Sequence, residues 1–103
     1  MDADARELLR TAADRLEDLA ARSTPGAWRS AGLLASRPEV VAHLPDGSTE
    51  HVAEARARSA AWIVTASPAL AGPLAAWLRA AAAAPGPPPE AVAVARVVLP
   101  ADG

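Results

Sequence analysis

The sequence predicts a small, mainly helical α+β domain, and three observations predict it. Apolar residues recur at helical spacing near the N-terminus, an alternating apolar pattern typical of a strand follows, and an uncharged alanine-rich segment is broken by prolines. The 103 residues suit a single domain with one core, spanning residues 1–103. We therefore expect a long amphipathic helix, a small antiparallel β-hairpin, and then two or three short helices.

The first helix is predicted by apolar residues at alternating spacings of four and three: Ala5, Leu9, Ala12, Leu16 and Leu19. These residues share one face of an α-helix, so that face is expected to be buried. Proline disfavours the helical conformation of the residue before it, so Pro25 ends the helix by about Ser23.

A tight turn follows at Pro25-Gly26. Proline and glycine suit the two central positions of a type II turn, because proline fixes φ and glycine accepts a positive φ. We expect Trp28 to fold back after this turn and to cover the end of the first helix's apolar face.

Residues 27–45 are predicted to be extended. Val40, Ala42 and Leu44 alternate, which places them on one face of a strand, and residues 28–34 are expected to pair with it as an antiparallel hairpin. A second turn is predicted at residues 45–47. Residues 49–54 fit either a third strand or the start of a helix running to Ala66, and we favour the helix, with Ser48 or Thr49 as its N-cap.

Residues 59–78 carry no formal charge and have the length of a membrane span. Their alanine content, hydroxyl groups and internal prolines favour two short helices instead. Ser67 and Pro68 are interpreted as an N-cap followed by proline in the first helical turn. Because proline deep inside a helix removes a hydrogen bond, Pro73 indicates either a loose turn over residues 69–72 or a helix that properly begins near Gly72. A proline-rich spacer at residues 85–89 ends it, and we favour a helix over a strand for residues 90–99.

The composition limits the possible functions. The net charge is −2 without a basic stripe, so the sequence predicts no nucleic-acid binding. The chain has no cysteine, which excludes disulfides, a thiol nucleophile and thiolate metal sites. Its N-terminus lacks a signal-peptide pattern, and we expect a cytoplasmic protein that does not enter a membrane.

Metal binding is one function that the sequence leaves open. If Leu44 faced Glu50 in the hairpin, His43 and His51 would oppose each other across the strands, with Glu54 nearby. Two histidines and a carboxylate can hold a divalent cation. The alternative interpretation is two solvated surface histidines, and a small metal-dependent hydrolase is the corresponding functional hypothesis.

No catalytic residue is predicted. The chain contains no G-x-S-x-G motif, no glycine-rich phosphate loop, and no carboxylate pairing that would raise one pKa. We therefore expect a protein that is not an enzyme and uses no cofactor.

The three tryptophans are the best candidates for an interaction site: Trp28, Trp62 and Trp77. Each also has an ordinary role as core packing, but tryptophan is enriched at interface hot spots. The leading hypothesis is a non-enzymatic interaction module that binds a protein partner or itself, as a homo-oligomer such as a homodimer.

Residues 24–28 and 60–70, which read T-P-G-A-W and A-A-W-I-V-T-A-S-P-A-L, carry a family resemblance. They resemble small phage-encoded and actinobacterial proteins with T-P-G-P-W followed by a D-A-x-F-I-A-x-x-x-P-A helix, including the Ead-like early-region phage proteins. The resemblance implies an architecture and a mobile-element origin, and it transfers no catalytic residue. A phage-type regulator of a host protein is a further hypothesis.

Overall fold

The computed structural model describes residues 2–32 and 38–100, and in that part of the chain helices dominate. The α+β class with a long N-terminal helix is confirmed, although the sheet has three strands rather than two. In chain order the elements are α1 (Asp2–Arg22), β1 (Ala27–Ala31), β2 (Glu39–His43), β3 (Thr49–Glu54), α2 (Ala57–Thr65), α3 (Pro68–Ala83) and α4 (Pro89–Val98).

The chain divides into two compact units. We call the described residues of Met1–Ala21 and Ala71–Gly103 the helical unit, and the described residues of Arg22–Leu70 the sheet unit. The helical unit is discontinuous in sequence, because the whole sheet unit lies between its two segments. A single domain over residues 1–103 stays a prediction.

The helical unit has a core built mostly from alanine. Its two large, fully buried side chains are Leu9 on α1 and Leu78 on α3. The remaining core residues are small, and small side chains let helix axes approach towards the lower end of the usual range of about 8–10 Å. They are Ala12, Ala13, Ala75, Ala81, Ala82, Ala91 and Ala95.

Helix α1 confirms the predicted apolar face over most of its length. Leu9 and Ala12 are buried, and Leu16 packs against the core, but the side chain of Leu19 is 46% exposed. The expectation of burial at Leu19 was therefore wrong. Periodicity defines a helix face, but it does not say how far along that face the packing partners extend.

Helix α3 begins at Pro68, which confirms the interpretation of Pro68 as a residue of the first helical turn. The helix continues through Pro73, so the expected loose turn over residues 69–72, or a start near Gly72, was wrong. Proline is well suited to the first helical position at Pro68. Pro73 lacks the N–H that would bond the carbonyl of Ala69, and both residues are exposed, so water can solvate that carbonyl.

The C-terminal segment forms a helix, as the sequence favoured. Helix α4 starts at Pro89, the last residue of the predicted spacer, with Glu90 in its first turn and Arg96 in its last. Both charges complement the helix dipole.

The sheet unit contains an antiparallel sheet in the order β1-β2-β3. The predicted pairing of residues 28–34 with β2 is confirmed for residues 28–31, where Trp28 pairs with Ala42, whereas residues 33–34 lie outside the described residues. Helix α2 packs against β1 and β2. Val40, Ala42 and Ala60 are fully buried there, which agrees with the predicted alternation along β2.

Residues 49–54 form strand β3, so the favoured helical interpretation was wrong and the strand alternative is observed. Hydrogen bonds within the turn before β3 explain why a strand forms there rather than a helix. The carboxylate of Asp46 accepts hydrogen bonds from the Ser48 N–H at 2.9 Å and the Ser48 hydroxyl at 2.6 Å. Ser48 therefore belongs to the hairpin turn rather than to a helix cap, and β2 supplies the hydrogen-bond partners of the next residues.

Candidate interaction surface

Trp28 is placed by the turn that precedes it. Gly26 has a φ of +96°, as the predicted turn requires, and the indole N–H of Trp28 donates a hydrogen bond of 3.0 Å to the carbonyl of Thr24. The side chain is half-buried. Trp28 therefore has a structural role within the sheet unit, closing the turn with its polar atom satisfied.

Trp62 is the most exposed of the three tryptophans. It lies on α2, whose Ala60 is buried and whose Ile63 and Val64 are half-buried, while 71% of Trp62 is exposed. Burial of this indole against a partner would remove a large apolar area from water.

Trp77 lies on a helix face that is apolar throughout. The exposed residues of α3 alternate with its buried ones at helical spacing, and none of them carries a charge or a hydrogen-bonding side chain other than the indole N–H. We call the following residues the α3 face: Gly72, Pro73, Ala76, Trp77, Ala80 and Ala83. Trp77, which is 44% exposed, is the largest side chain of this face, and Leu70, nearer the start of the same helix, is also 44% exposed.

Arg79 is the one charged residue of α3, and it lies at the border of the α3 face. Its guanidinium hydrogen-bonds to Glu17 and, at 2.8 Å, to Asp14, both on α1. The hydrogen bond that Arg79 donates to Glu17, followed by the one it donates to Asp14, raises the pKa of Arg79 above its ordinary value. Arg79 is thus held on the α1 side of α3, and the α3 face stays uncharged.

Trp28 and Trp62 belong to the sheet unit and Trp77 to the helical unit. Sequence reasoning missed Val97, which is 86% exposed on α4. Its exposure was not predictable, because a helix and a strand were both open for residues 90–99 and each places Val97 on a different face.

The predicted opposition of the histidines is wrong. Ala42 rather than Leu44 pairs with Glu50, so His43 pairs with Thr49 and His51 with Val41. The short turn sets this register, because the N–H of Leu44 bonds the carbonyl of Ser48 at 2.9 Å. His43 and His51 are therefore diagonal rather than directly opposed neighbours.

His51 instead contacts a carboxylate of the neighbouring strand. Its Nδ1 lies 2.5 Å from the Oε2 of Glu39, and both side chains are exposed. Glu54, the third residue of the suggested metal set, pairs with Glu39 at the end of β3. Within residues 2–32 and 38–100, no group of three or more His, Cys, Asp or Glu side chains is placed to hold a metal ion.

An open groove of about 410 Å³ lies in the helical unit between α1 and α4. Ala5, Leu8 and Val92 form its apolar walls, and Asp4 and Arg96 add one charge of each sign. This lining contains no hydroxyl, thiol or imidazole group.

The segment with the length of a membrane span is divided between two helices. Among the described residues, no single helix is both long enough and apolar enough to cross a bilayer. Arg58–Thr65 and Pro68–Ala83 meet the length and composition criteria only when taken together, with a bend at the break between them.

Comparison of the chain with protein-family models, with curated proteins and with solved structures finds no match. The resemblance to the Ead-like phage proteins stays a prediction.

Proposed function

We propose that this protein is a non-enzymatic interaction module that self-associates through exposed apolar helix surfaces. The observation that carries the proposal is the α3 face, an exposed helix surface that is apolar over its whole length and contains Trp77. Contiguous apolar surface of this kind marks protein contact sites more often than isolated exposed residues do.

Exposed tryptophans support the same function. Trp62 and Trp77 keep 71% and 44% of their side chains accessible. Tryptophan is among the residues that contribute most to interface energy, because its ring buries a large area at little cost in conformational entropy.

The charge distribution favours self-association over a strongly charged partner. The net charge is only −2, and Arg79, at the border of the α3 face, is already paired with acidic side chains of the same chain. Two copies therefore meet little electrostatic repulsion, whereas an acidic or basic partner finds no complementary charge on this face.

Sedimentation velocity over a concentration series from about 1 μM to about 500 μM tests the proposal, since that range brackets affinities typical of small interfaces. We expect the weight-average mass to rise with concentration, from monomer towards dimer. A mass that stays at that of the monomer across the series would contradict self-association.

A charge placed on the α3 face provides the matched test. Ala76→Glu on α3 is expected to keep the chain monomeric throughout the series, because a carboxylate in an apolar contact has no partner. Ala93→Glu changes an exposed alanine of α4 in the same way and is expected to associate like the unmodified chain.

A further inference from the structure

We infer that Asp46-Gly47 is a site of spontaneous aspartate isomerisation, and that the side chain of Ser48 suppresses this reaction in the folded chain. The inference is independent of the proposed self-association. It follows from the sequence of the turn between β2 and β3, and from the hydrogen bonds that hold the Asp46 carboxylate and the Gly47 N–H in place.

The sequence of the turn favours isomerisation. Aspartate isomerises most readily when glycine follows it, because glycine has no side chain to hinder its own backbone nitrogen. Asp-Gly occurs at residues 46–47 and at residues 102–103, and the second pair lies outside the described residues. The chain has no asparagine, so isoaspartate forms from aspartate without a contribution from deamidation.

The reaction needs no enzyme and no co-reactant other than water. The backbone nitrogen of Gly47 attacks Cγ of the protonated Asp46 carboxyl group. An N–Cγ bond forms and a Cγ–O bond breaks, so that the amide proton and the carboxyl OH leave as water. Water then opens the resulting succinimide ring at either carbonyl, which gives back aspartate or gives isoaspartate. The main chain of isoaspartate runs through the side-chain carbons, and its mass is that of aspartate.

The turn lies open to water. Asp46 and Gly47 are exposed, and a Cβ at residue 47 would meet nothing within 4 Å. In the part of the chain that the structure describes, packing therefore does not shield the reacting atoms. Protection has to come from the hydrogen bonds of the turn itself.

The Asp46 carboxylate is held by Ser48. Its Oδ1 accepts a hydrogen bond of 2.6 Å from the Ser48 hydroxyl and one of 2.9 Å from the Ser48 N–H. Both bonds stabilise the anion, and the hydroxyl contributes most to lowering the pKa of Asp46. A carboxylate anion resists nucleophilic attack, because its oxygen leaves as water only after protonation. Ser48 therefore disfavours the reactive form of Asp46.

The attacking nitrogen is also held. The N–H of Gly47 donates a hydrogen bond of 3.0 Å to the carbonyl of Leu44, which closes a four-residue β-turn. The nitrogen becomes a nucleophile only when it loses this proton, and the Leu44 carbonyl stabilises the N–H form. The folded turn thus restrains both groups that must react, and the Ser48 side chain restrains one of them.

Isomerisation would alter the turn that sets the sheet register. Isoaspartate adds one atom to the main chain between Leu44 and Ser48, whose hydrogen bond of 2.9 Å fixes the pairing of β2 with β3. Ser48 therefore protects the strand pairing against chemical ageing of the chain.

Incubation of the folded chain at neutral pH, followed by peptide mapping with mass spectrometry, tests the inference. Isoaspartyl and aspartyl peptides have equal masses and separate by chromatography. Cleavage after arginine places residues 46 and 102 in different peptides, so each is measured separately. We expect Ser48→Ala to isomerise at residue 46 about two- to tenfold faster than the unmodified chain, because the carboxylate loses a hydrogen bond. Ser48→Thr keeps a hydroxyl and is expected to react near the unmodified rate.

Two references separate the Ser48 side chain from folding in general. In concentrated urea the unmodified chain and Ser48→Ala are expected to react at one common rate, faster than that of the folded unmodified chain. Val40→Ala truncates a fully buried side chain of the sheet unit without changing the turn. Its rate at residue 46 is expected to lie below that of Ser48→Ala.

Two results would overturn the inference. Isomerisation of residue 46 in the folded unmodified chain that is as fast as in urea would show that the turn gives no protection. A folded Ser48→Ala rate no higher than that of the unmodified chain, or no higher than that of Val40→Ala, would show that the Ser48 side chain does not suppress the reaction.

Discussion

The guanidinium of Arg6 donates a hydrogen bond of 2.5 Å to the carbonyl oxygen of Ala82, 76 residues away in sequence. The same Nη1 atom lies 2.7 Å from the carbonyl of Ala84. Helix α3 has no basic residue in its own last turn, where carbonyl groups lack intrahelical partners. An arginine on α1 therefore caps the C-terminus of α3, and Arg15 does the same for α4, through a bond of 3.1 Å from Nε to the Val98 carbonyl.

Removal of the Arg6 cap is expected to destabilise the helical unit. Arg6→Ala loses two charge-assisted hydrogen bonds and should lower the free energy of unfolding by about 1.5–3 kcal/mol, measured by urea denaturation. Arg10→Ala is the matched control, because Arg10 is an exposed arginine on the same helix. Equal urea midpoints for the two variants would contradict the capping role.

Substitution of Leu9 and of Leu19 by alanine is expected to lower the free energy of unfolding by very different amounts, although both residues belong to the predicted apolar face of α1. Leu9 is fully buried and Leu19 is 46% exposed. Leu9→Ala should cost about 2–5 kcal/mol, because it leaves a cavity, while Leu19→Ala should cost less than about 1 kcal/mol. Thermal and urea unfolding measure the stability of both variants. A comparable loss of unfolding free energy in the two would mean that the buried face of α1 extends to its last turn.

Two glycines in turns allow the energetic cost of a strained backbone to be compared with the added cost of a steric clash. Gly26 and Gly47 both have positive φ, +96° and +88°. A Cβ at residue 26 would lie 2.5 Å from the carbonyl oxygen of His43, whereas a Cβ at residue 47 would meet nothing within 4 Å. Gly47→Ala is expected to cost about 1–2 kcal/mol from strain alone. Gly26→Ala should cost roughly 1–3 kcal/mol more, because rigid backbone must also move.

The free energies of unfolding of the two alanine variants, taken from urea titrations under identical conditions, check this difference. If Gly26→Ala were no more destabilising than Gly47→Ala, the close approach between the first turn and β2 would not exist in solution.

The hairpin turn between β2 and β3 is expected to make stability depend on pH. The hydroxyl of Ser48, and then its backbone N–H, hold the pKa of Asp46 below its ordinary value of 3.8. A carboxylate with a lowered pKa stabilises the fold above that ordinary value, and the contribution is lost as pH falls through the folded-state pKa. Asp46→Ala should therefore be less stable than the unmodified chain near neutral pH, and the two should converge below about pH 3.8.

Urea unfolding of Asp46→Ala and of the unmodified chain between about pH 7 and about pH 2.5 measures the difference in their unfolding free energies across the range in which Asp46 titrates. Asp46→Asn serves as control, because asparagine keeps the local turn geometry but does not titrate in this range. A gap between Asp46→Ala and the unmodified chain that does not change with pH would show that the Asp46 charge contributes nothing.

Much of the fold could be predicted from the sequence in segments where a single local pattern of residues specifies the conformation. The structure contains the apolar spacing in residues 5–16, the Pro25-Gly26 turn, the alternation in β2 and the helix favoured for the segment after the spacer. In each case the signal acts over a few neighbouring residues, through periodicity or through the restricted φ of proline and glycine.

The sheet register was not accessible in the same way. A shift of two residues in the β2–β3 pairing keeps every side chain on its own face, so the alternating pattern cannot tell one register from the other. The hydrogen bonds of the turn select the observed register, and they separate His43 from direct opposition with His51. For the same reason, residues 49–54 became a strand only because the edge of β2 was available to pair with them.

For the candidate interaction surface, the sequence by itself determined that the segment between Arg58 and Arg79 carries no charge and supplies tryptophan and alanine side chains to its helices. Only the tertiary structure decided which side of α3 is buried, because that choice depends on where α1 and α4 contribute Leu9, Ala91 and the rest of the core. The pairing of Arg79 with α1 likewise depends on residues more than 60 positions away. Helical periodicity specifies a face, but packing between distant segments decides which face remains exposed.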